Sequence, residues 1–389
     1  MKFRIMNKDF SLIYFIIIIM VLSYFELPFL NSIGIFNFIY KIGKLLSCLL
    51  FAIILIINKK CKLKKYIVIF VFYELLLFFR SLYLGLPIVY VMTQVASEIT
   101  FIVFADYFLE YYFRQFTNVL FAFILIIVTI NFVLMLKYKY GIYNIGESNR
   151  AYWLLGHVNN MPVYIFPAIF ISFNKYKNSN KIIKILSLIL LCTSFISVIY
   201  GKSATSIIGL LIIIFHLTFK KFKLNLIHYY LISLVIFIFI VILGREYKLM
   251  SFISMFFNRS ITFTGRTNIW NHALYYIKEK LILGYGLETP LVTMAKFDFI
   301  TPHNRYLYIL YTGGVLGFAL FTYFVFSIWR LSISTYKNYS NDIIYRSLYY
   351  TCCAIFIIFQ METYAGVLIY FPFLLLANMN IRTRDMLVE

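Results

Sequence analysis

The sequence predicts an all-α membrane protein: a polytopic bundle of about twelve transmembrane helices, with one long polar loop that carries an amphipathic helix. Three observations predict it. The 389-residue chain is 62% hydrophobic and only 13% charged, with a mean hydropathy of +0.86, whereas a soluble globule carries roughly 25% charged residues. Apolar runs of about 18 residues or more recur, long enough for helices to cross a bilayer. Strand-length alternation is absent, so backbone groups inside lipid must be satisfied within helices rather than around a barrel.

Taken in order, spans are expected near 10–27, 36–57, 66–84, 87–109, 117–136, 151–173, 183–200, 204–219, 226–244, 303–329, 346–361 and 363–380. Together they make residues 1–389 a single transmembrane domain, with 245–302 as a loop inside it. The first run lacks a small-residue cleavage site and another span follows closely, which makes it a retained helix rather than a signal peptide. A net charge of +21 would point to nucleic acid in a soluble protein. Here the positive-inside rule accounts for most of it, and no nucleic-acid partner is expected. With the N-terminus inside, 21 Lys and Arg residues fall in inner connections and seven in or beside the short outer ones. The other eight belong to the long segment, which crosses largely regardless of charge. Both termini are therefore expected in the cytoplasm and the 245–302 loop outside.

Ionisable residues within apolar runs are costly and often functional. Glu74 and Arg80 lie in the third span, Glu98 and Asp106 in the fourth. They are either neutral or paired inside the bundle, or they form the proton or cation relay of a transporter. Cys48, Cys61, Cys192, Cys352 and Cys353 lie mostly in apolar runs and none lies in the long polar segment, so neither a disulfide framework nor a zinc site is expected. The sixth span carries Gly156, His157, Asn159 and Asn160 near its outer end, where Asn159 and Asn160 either bond helix to helix or touch substrate. Between the seventh and eighth spans, Lys202 tips a tight outer turn. Ser203 and Thr205 beside it can cap the next helix, whose free N–H groups favour an anion.

The long segment holds the chain's closest gathering of Arg, His, Lys, Glu and Asp. From Arg266 to Leu283, Ile269, Trp270, Ala273, Leu274, Ile277 and Leu281 recur at three- and four-residue spacing, opposite Arg266, Asn268, Asn271, Lys278 and Glu279. That is an amphipathic helix. It places Arg266 at the helix entrance, near headgroup level, where a diphosphate would sit. Gly284 and Gly286 then make a turn. Thr301 as cap and Pro302 as first helical residue would open the next span and put His303 in its first turn. A neutral imidazole there can accept a proton from a hydroxyl. Gly313, Gly314 and Gly317 permit close helix approach.

Gly265-Arg266 with Trp270, then Gly284-Tyr285-Gly286, then His303-Asn304 with Leu307 and Gly314 resemble the O-antigen polymerase and ligase superfamily of bacterial integral-membrane glycosyltransferases. The Gly156-His157/Asn159-Asn160 group and the Lys202-Ser203 turn fit the same pattern, although that family often has Ser-Arg there and Lys loses bidentate phosphate contact. The resemblance implies metal-independent, inverting transfer of glycan from undecaprenyl diphosphate to an acceptor hydroxyl at the outer face of the plasma membrane, without a cofactor. It makes His303 and Arg266 the expected catalytic residues. Fixed positive charge for the leaving diphosphate would come from Arg266, Lys202, Arg305 and Arg150, with Asn304, Asn159 and Asn160 as further substrate contacts. No Asp-x-Asp pair occurs, which disfavours a metal-bound nucleotide-sugar site. Tyr285, Tyr306, Tyr308 and Tyr311 either stack on sugars or form an interfacial aromatic belt.

The expected partners are the lipid bilayer, an undecaprenyl-diphosphate-linked oligosaccharide and a regulator of chain length. A polymerase, adding to another lipid-linked repeat, is favoured over a ligase, adding to lipid A–core or protein, because nothing marks a surface for lipid A–core. A lipid-linked oligosaccharide flippase is the alternative from a different class. It would place functional charge at mid-membrane rather than in an outer loop.

Overall fold

The structure, a computed structural model, describes residues 8–57, 63–143, 151–222, 224–243, 266–364 and 366–382. Arg150, Gly265 and the expected loop from 245 to 265 lie outside the described residues. The chain is an all-α polytopic membrane bundle. It runs through α1 (Lys8–Tyr24), the single turn α2 (Pro28–Asn31), α3 (Gly34–Ile57), α4 (Lys65–Tyr83), α5 (Ile88–Tyr111) and α6 (Phe113–Lys137). It continues through α7 (Pro162–Asn178), α8 (Lys181–Gly201), α9 (Ala204–Thr218) and α10 (Leu226–Phe237), which a π-turn extends over Ile238–Ile242. Then come α11 (Arg266–Glu279), α12 (Pro290–Phe297), α13 (Arg305–Tyr339), α14 (Ile343–Ile358) and, after a 3₁₀ turn at Val367–Tyr370, α15 (Phe371–Arg382). Among the described residues six helices are long and apolar enough to cross a membrane, and shorter apolar helices accompany them.

Each expected span meets a helix, but the sixth is displaced. Residues 151–161, expected to be helical, instead make an antiparallel hairpin pairing Tyr152 with His157 and Trp153 with Gly156. The helix begins at Pro162, whose ring would clash with a carbonyl four residues back if the helix reached further upstream. The hairpin is pinned by the Trp153 indole N–H on Tyr138 O (2.8 Å) and by Leu155 N–H on Asn131 Oδ1 (3.0 Å). The Gly156–Asn160 group therefore sits in a loop above α7 rather than within a span.

The interior is aromatic. α13 packs along α4 and α15, with Phe70 and Phe324 set edge-on to Tyr370 at 5.3 and 5.7 Å. The charges in apolar runs are satisfied internally. Lys64 meets Asp106 (3.0 Å), Glu110 (3.1 Å) and Asn378 (2.6 Å), and Tyr66 bonds Asp106, which ties α4, α5 and α15 together. The Glu74 and Glu98 carboxyl groups are close enough to act on each other, and the buried Arg305 charge acts on both. Cys48, Cys192, Cys352 and Cys353 are free thiols.

α13 is broken at Gly314 (φ 63°, ψ −162°). Residues 281–286, leaving the end of α11, enter the break. Tyr285 and Gly286 N–H donate to Tyr311 O and Thr312 O (both 2.8 Å), while Val315 and Leu316 N–H donate to Leu281 O (2.8 Å) and Ile282 O (3.2 Å). Arg80, expected as an intramembrane charge, donates its Nε–H to Gly284 O (2.8 Å). A Cβ at Gly314 would lie 2.3 Å from the Ile282 carbonyl. Gly314 thus admits a loop, while Gly313 and Gly317 meet Leu77 and Tyr73 of α4, the close helix approach expected of the glycine-rich run. Peptide groups that a broken helix would leave bare in lipid are satisfied by the inserted backbone.

Candidate functional site

The site forms where four chain segments meet at Glu362, in the turn between α14 and α15. α11, described from Arg266 on, buries Ile269, Trp270, Ala273 and Ile277 against the bundle. That apolar face fixes the helix beside Glu362, and Arg266 Nη2 reaches Glu362 Oε1 at 2.5 Å. His303 comes from the turn before α13. Its Nδ1 lies 3.3 Å from Glu362 Oε2, and its ring packs edge-on to Phe299. Asn159, from the hairpin loop, donates its Nδ2–H to Glu362 Oε1 at 2.7 Å and accepts from Ser203 Oγ at 2.7 Å.

The sequence placed His303 inside a helical first turn, and the structure corrects this. α13 begins at Arg305, capped by Asn304, whose Oδ1 accepts from Leu307 N–H at 3.0 Å. Asn is a stronger cap than Thr, and it wins here. His303 stands outside the helix with φ 48°, a left-handed conformation that turns its ring toward Glu362.

Asn304 and Arg305, expected beside the substrate, have buried side chains that hold the Glu362 turn from below. Asn304 Nδ2 donates to Gln360 O (3.0 Å) and Arg305 N–H to Phe359 O (2.9 Å). Arg305 Nη1 donates to Thr363 O and Tyr364 O (both 3.4 Å), and its Nη2 bonds the Tyr370 hydroxyl. Lys202 ends α8 in a left-handed conformation (φ 51°) with its side chain exposed. The adjoining Ser203 caps α9, as its sequence context predicts, and faces Asn159. Asn160 is exposed, and its backbone N–H closes the loop on His157 O at 2.8 Å. Tyr285, Tyr306 and Tyr311 are buried, not free to stack on sugars. Tyr285 and Tyr311 lie parallel 4.9 Å apart, and the Lys296 ammonium sits 3.9 Å from the Tyr285 ring, held by Glu288 at 2.7 Å.

Glu362 is the residue sequence reasoning missed. It is the sole carboxylate between Asp342 and Asp385 and falls in a short connection, which was the signal available. Burial raises its pKa, but the hydrogen bond from His303, the Arg266 charge and the Asn159 amide outweigh burial and hold it below the usual carboxylate range. An ionised carboxylate in this place is saturated on one oxygen by Arg266 and Asn159, and it orients His303 with the other. Among the described residues no group of three or more His, Cys, Asp or Glu side chains is placed to hold a metal.

A polytopic helical bundle that brings an arginine and a histidine together is the arrangement the O-antigen polymerase and ligase resemblance implies; the carboxylate between them is what the structure adds. Residues 186–322 match a protein-family model described as O-antigen ligase, which supports membership of the O-antigen polymerase and ligase superfamily and a glycosyltransferase-like role. The matched stretch contains Lys202, Arg266 and His303; Asn159 and Glu362 lie beyond it. No curated protein matches the chain.

Proposed function

We propose that this chain is a polysaccharide polymerase. It transfers a glycan from undecaprenyl diphosphate to a hydroxyl of another lipid-linked repeat, at the extracytoplasmic face of a bacterial plasma membrane. The observation that carries the reading is that Arg266 and His303, 37 residues apart by number, reach opposite oxygens of the same carboxylate. A carboxylate only accepts, so His303 Nδ1 carries the hydrogen and Nε2 is left as an acceptor for the incoming hydroxyl's proton. Arg266 lies beside it as fixed positive charge for the leaving diphosphate, and exposed Lys202 adds a second cation on the adjoining turn. When the lipid diphosphate enters, it shares Arg266 with Glu362.

Arg266→Ala and His303→Ala, made separately, are expected to stop glycan chain growth while the protein still reaches the membrane. Normal long chains from both variants overturn the site. The family description favours a second reading, a ligase acting on lipid A–core. A deletion strain separates the two: a single repeat on lipid A–core means polymerase, and bare core with accumulated lipid-linked polymer means ligase.

A further inference from the structure

Tyr364 is a polar group beside the site that the mechanism above leaves idle. It follows Glu362 by two residues in the same turn. Its side chain is 7% exposed, and its hydroxyl has no hydrogen-bond partner among the described residues. Buried polar atoms in folded proteins are almost always paired, and this orphan shares its turn with two others, Gln360 Oε1 and Thr363 Oγ1, so the turn beside Glu362 holds polar atoms still able to take a partner. The hydroxyl lies near enough to Glu362 and Arg266 to interact electrostatically with both. A second, independent oddity is its backbone, at φ 46°. For a bulky aromatic that is a strained conformation, of the kind that clusters at functional sites. The strain is held by Arg305, whose Nη1 donates to the Thr363 and Tyr364 carbonyls.

We propose that Tyr364 is a further catalytic residue, its phenolic O–H donating a hydrogen bond to the diphosphate oxygen that gains negative charge as the donor's glycosidic bond breaks. The inference rests on the roles given above to His303 and Arg266. The acceptor hydroxyl gives its proton to His303 Nε2, and its oxygen bonds to the anomeric carbon. The electron pair of the broken carbon–oxygen bond leaves with the diphosphate. Tyr364 keeps its proton throughout. Burial, reinforced by the Glu362 charge and only partly opposed by Arg266, holds its ionisation well above the ordinary phenol range. It is therefore a donor at any physiological pH. The diphosphate, rather than the acceptor, is its partner because the charge of Arg266, the cation assigned to that group, acts on the same hydroxyl.

The test compares wild-type, Tyr364→Phe, His303→Ala and Arg266→Ala proteins in proteoliposomes. Donor and acceptor are lipid-linked repeats purified from the deletion strain. Tyr364→Phe removes one oxygen and nothing else. It is expected to lower kcat about ten- to a hundredfold with KM little changed, as for loss of one transition-state donor. Its melting temperature should stay level or rise, because an unpaired buried hydroxyl has gone. Undecaprenyl diphosphate should raise the melting temperature of the wild type more than that of Tyr364→Phe. Normal turnover in Tyr364→Phe with His303→Ala and Arg266→Ala inactive overturns this proposal alone; normal turnover in all three overturns the reading of the site. A fall in the melting temperature of Tyr364→Phe that parallels its loss of activity makes the residue structural and also overturns the proposal.

Discussion

At the scale of single residues, the carboxylate of Glu362 organises the chemistry. Glu362→Gln keeps the shape and Asn159's company but loses the charge that turns His303. Turnover is expected to fall about ten- to a hundredfold, measured by the same chain-growth assay. The folded-state pKa of Glu362 lies below its unfolded value. The stability it contributes is therefore present above the unfolded carboxylate pKa and is lost as pH falls through the folded one. On acidification below the ordinary carboxylate range, the wild-type melting temperature should drop more steeply than that of Glu362→Gln. Arg266 and His303 were legible because each sits in a short polar motif within the long polar segment. Glu362 was not, since its partners lie 96 and 59 residues away and no local pattern marks such a meeting. That Asn304 and Arg305 are buried was not legible for a related reason: charge and polarity in a motif do not say which way a side chain turns.

At the scale of elements, helix positions followed from apolar length and were found close to where spans were expected, six of the described helices being long and apolar enough to cross a membrane. The departures came from competing caps and prolines: Pro162 starts α7 late, and Asn304 rather than Thr301 starts α13. Asp342 caps α14 by accepting from Ile344 N–H (2.8 Å) and Tyr345 N–H (3.3 Å). Asp342→Ala is expected to cost about 1 kcal/mol, read from thermal unfolding in detergent. The break in α13 was not legible, because a run of glycines in an apolar stretch reads equally as a packing seam. Gly314→Ala would force a Cβ against the Ile282 carbonyl at a positive φ. A loss of roughly 1–3 kcal/mol is expected from strain and the displaced backbone. Gly85 offers a control. It also has a positive φ (68°) but nothing within 4 Å of an added Cβ, so Gly85→Ala should cost only about 1 kcal/mol. The gap between the two measures what the inserted loop contributes.

At the scale of the whole molecule, composition alone gave the class, and the distribution of basic residues gave an orientation that labelling can test. A cysteine placed at Lys202 or Asp298 should react with an impermeant thiol reagent added to intact spheroplasts. One at Lys177 or Lys337 should react only after the membrane is opened. The reverse pattern would move the site to the cytoplasm and end the case for a lipid-linked glycan donor. The carboxylates that kept a transporter in view have partners within the bundle: Asp106 in the Lys64 network, and Glu74 with Glu98. The seam between residues 281–286 and the broken α13 also has a mechanical meaning. Four backbone hydrogen bonds cross it, so tension applied to the surface helix would be carried straight into a membrane-crossing one. Pulled from outside, the chain should yield in a single large step in which both come away together.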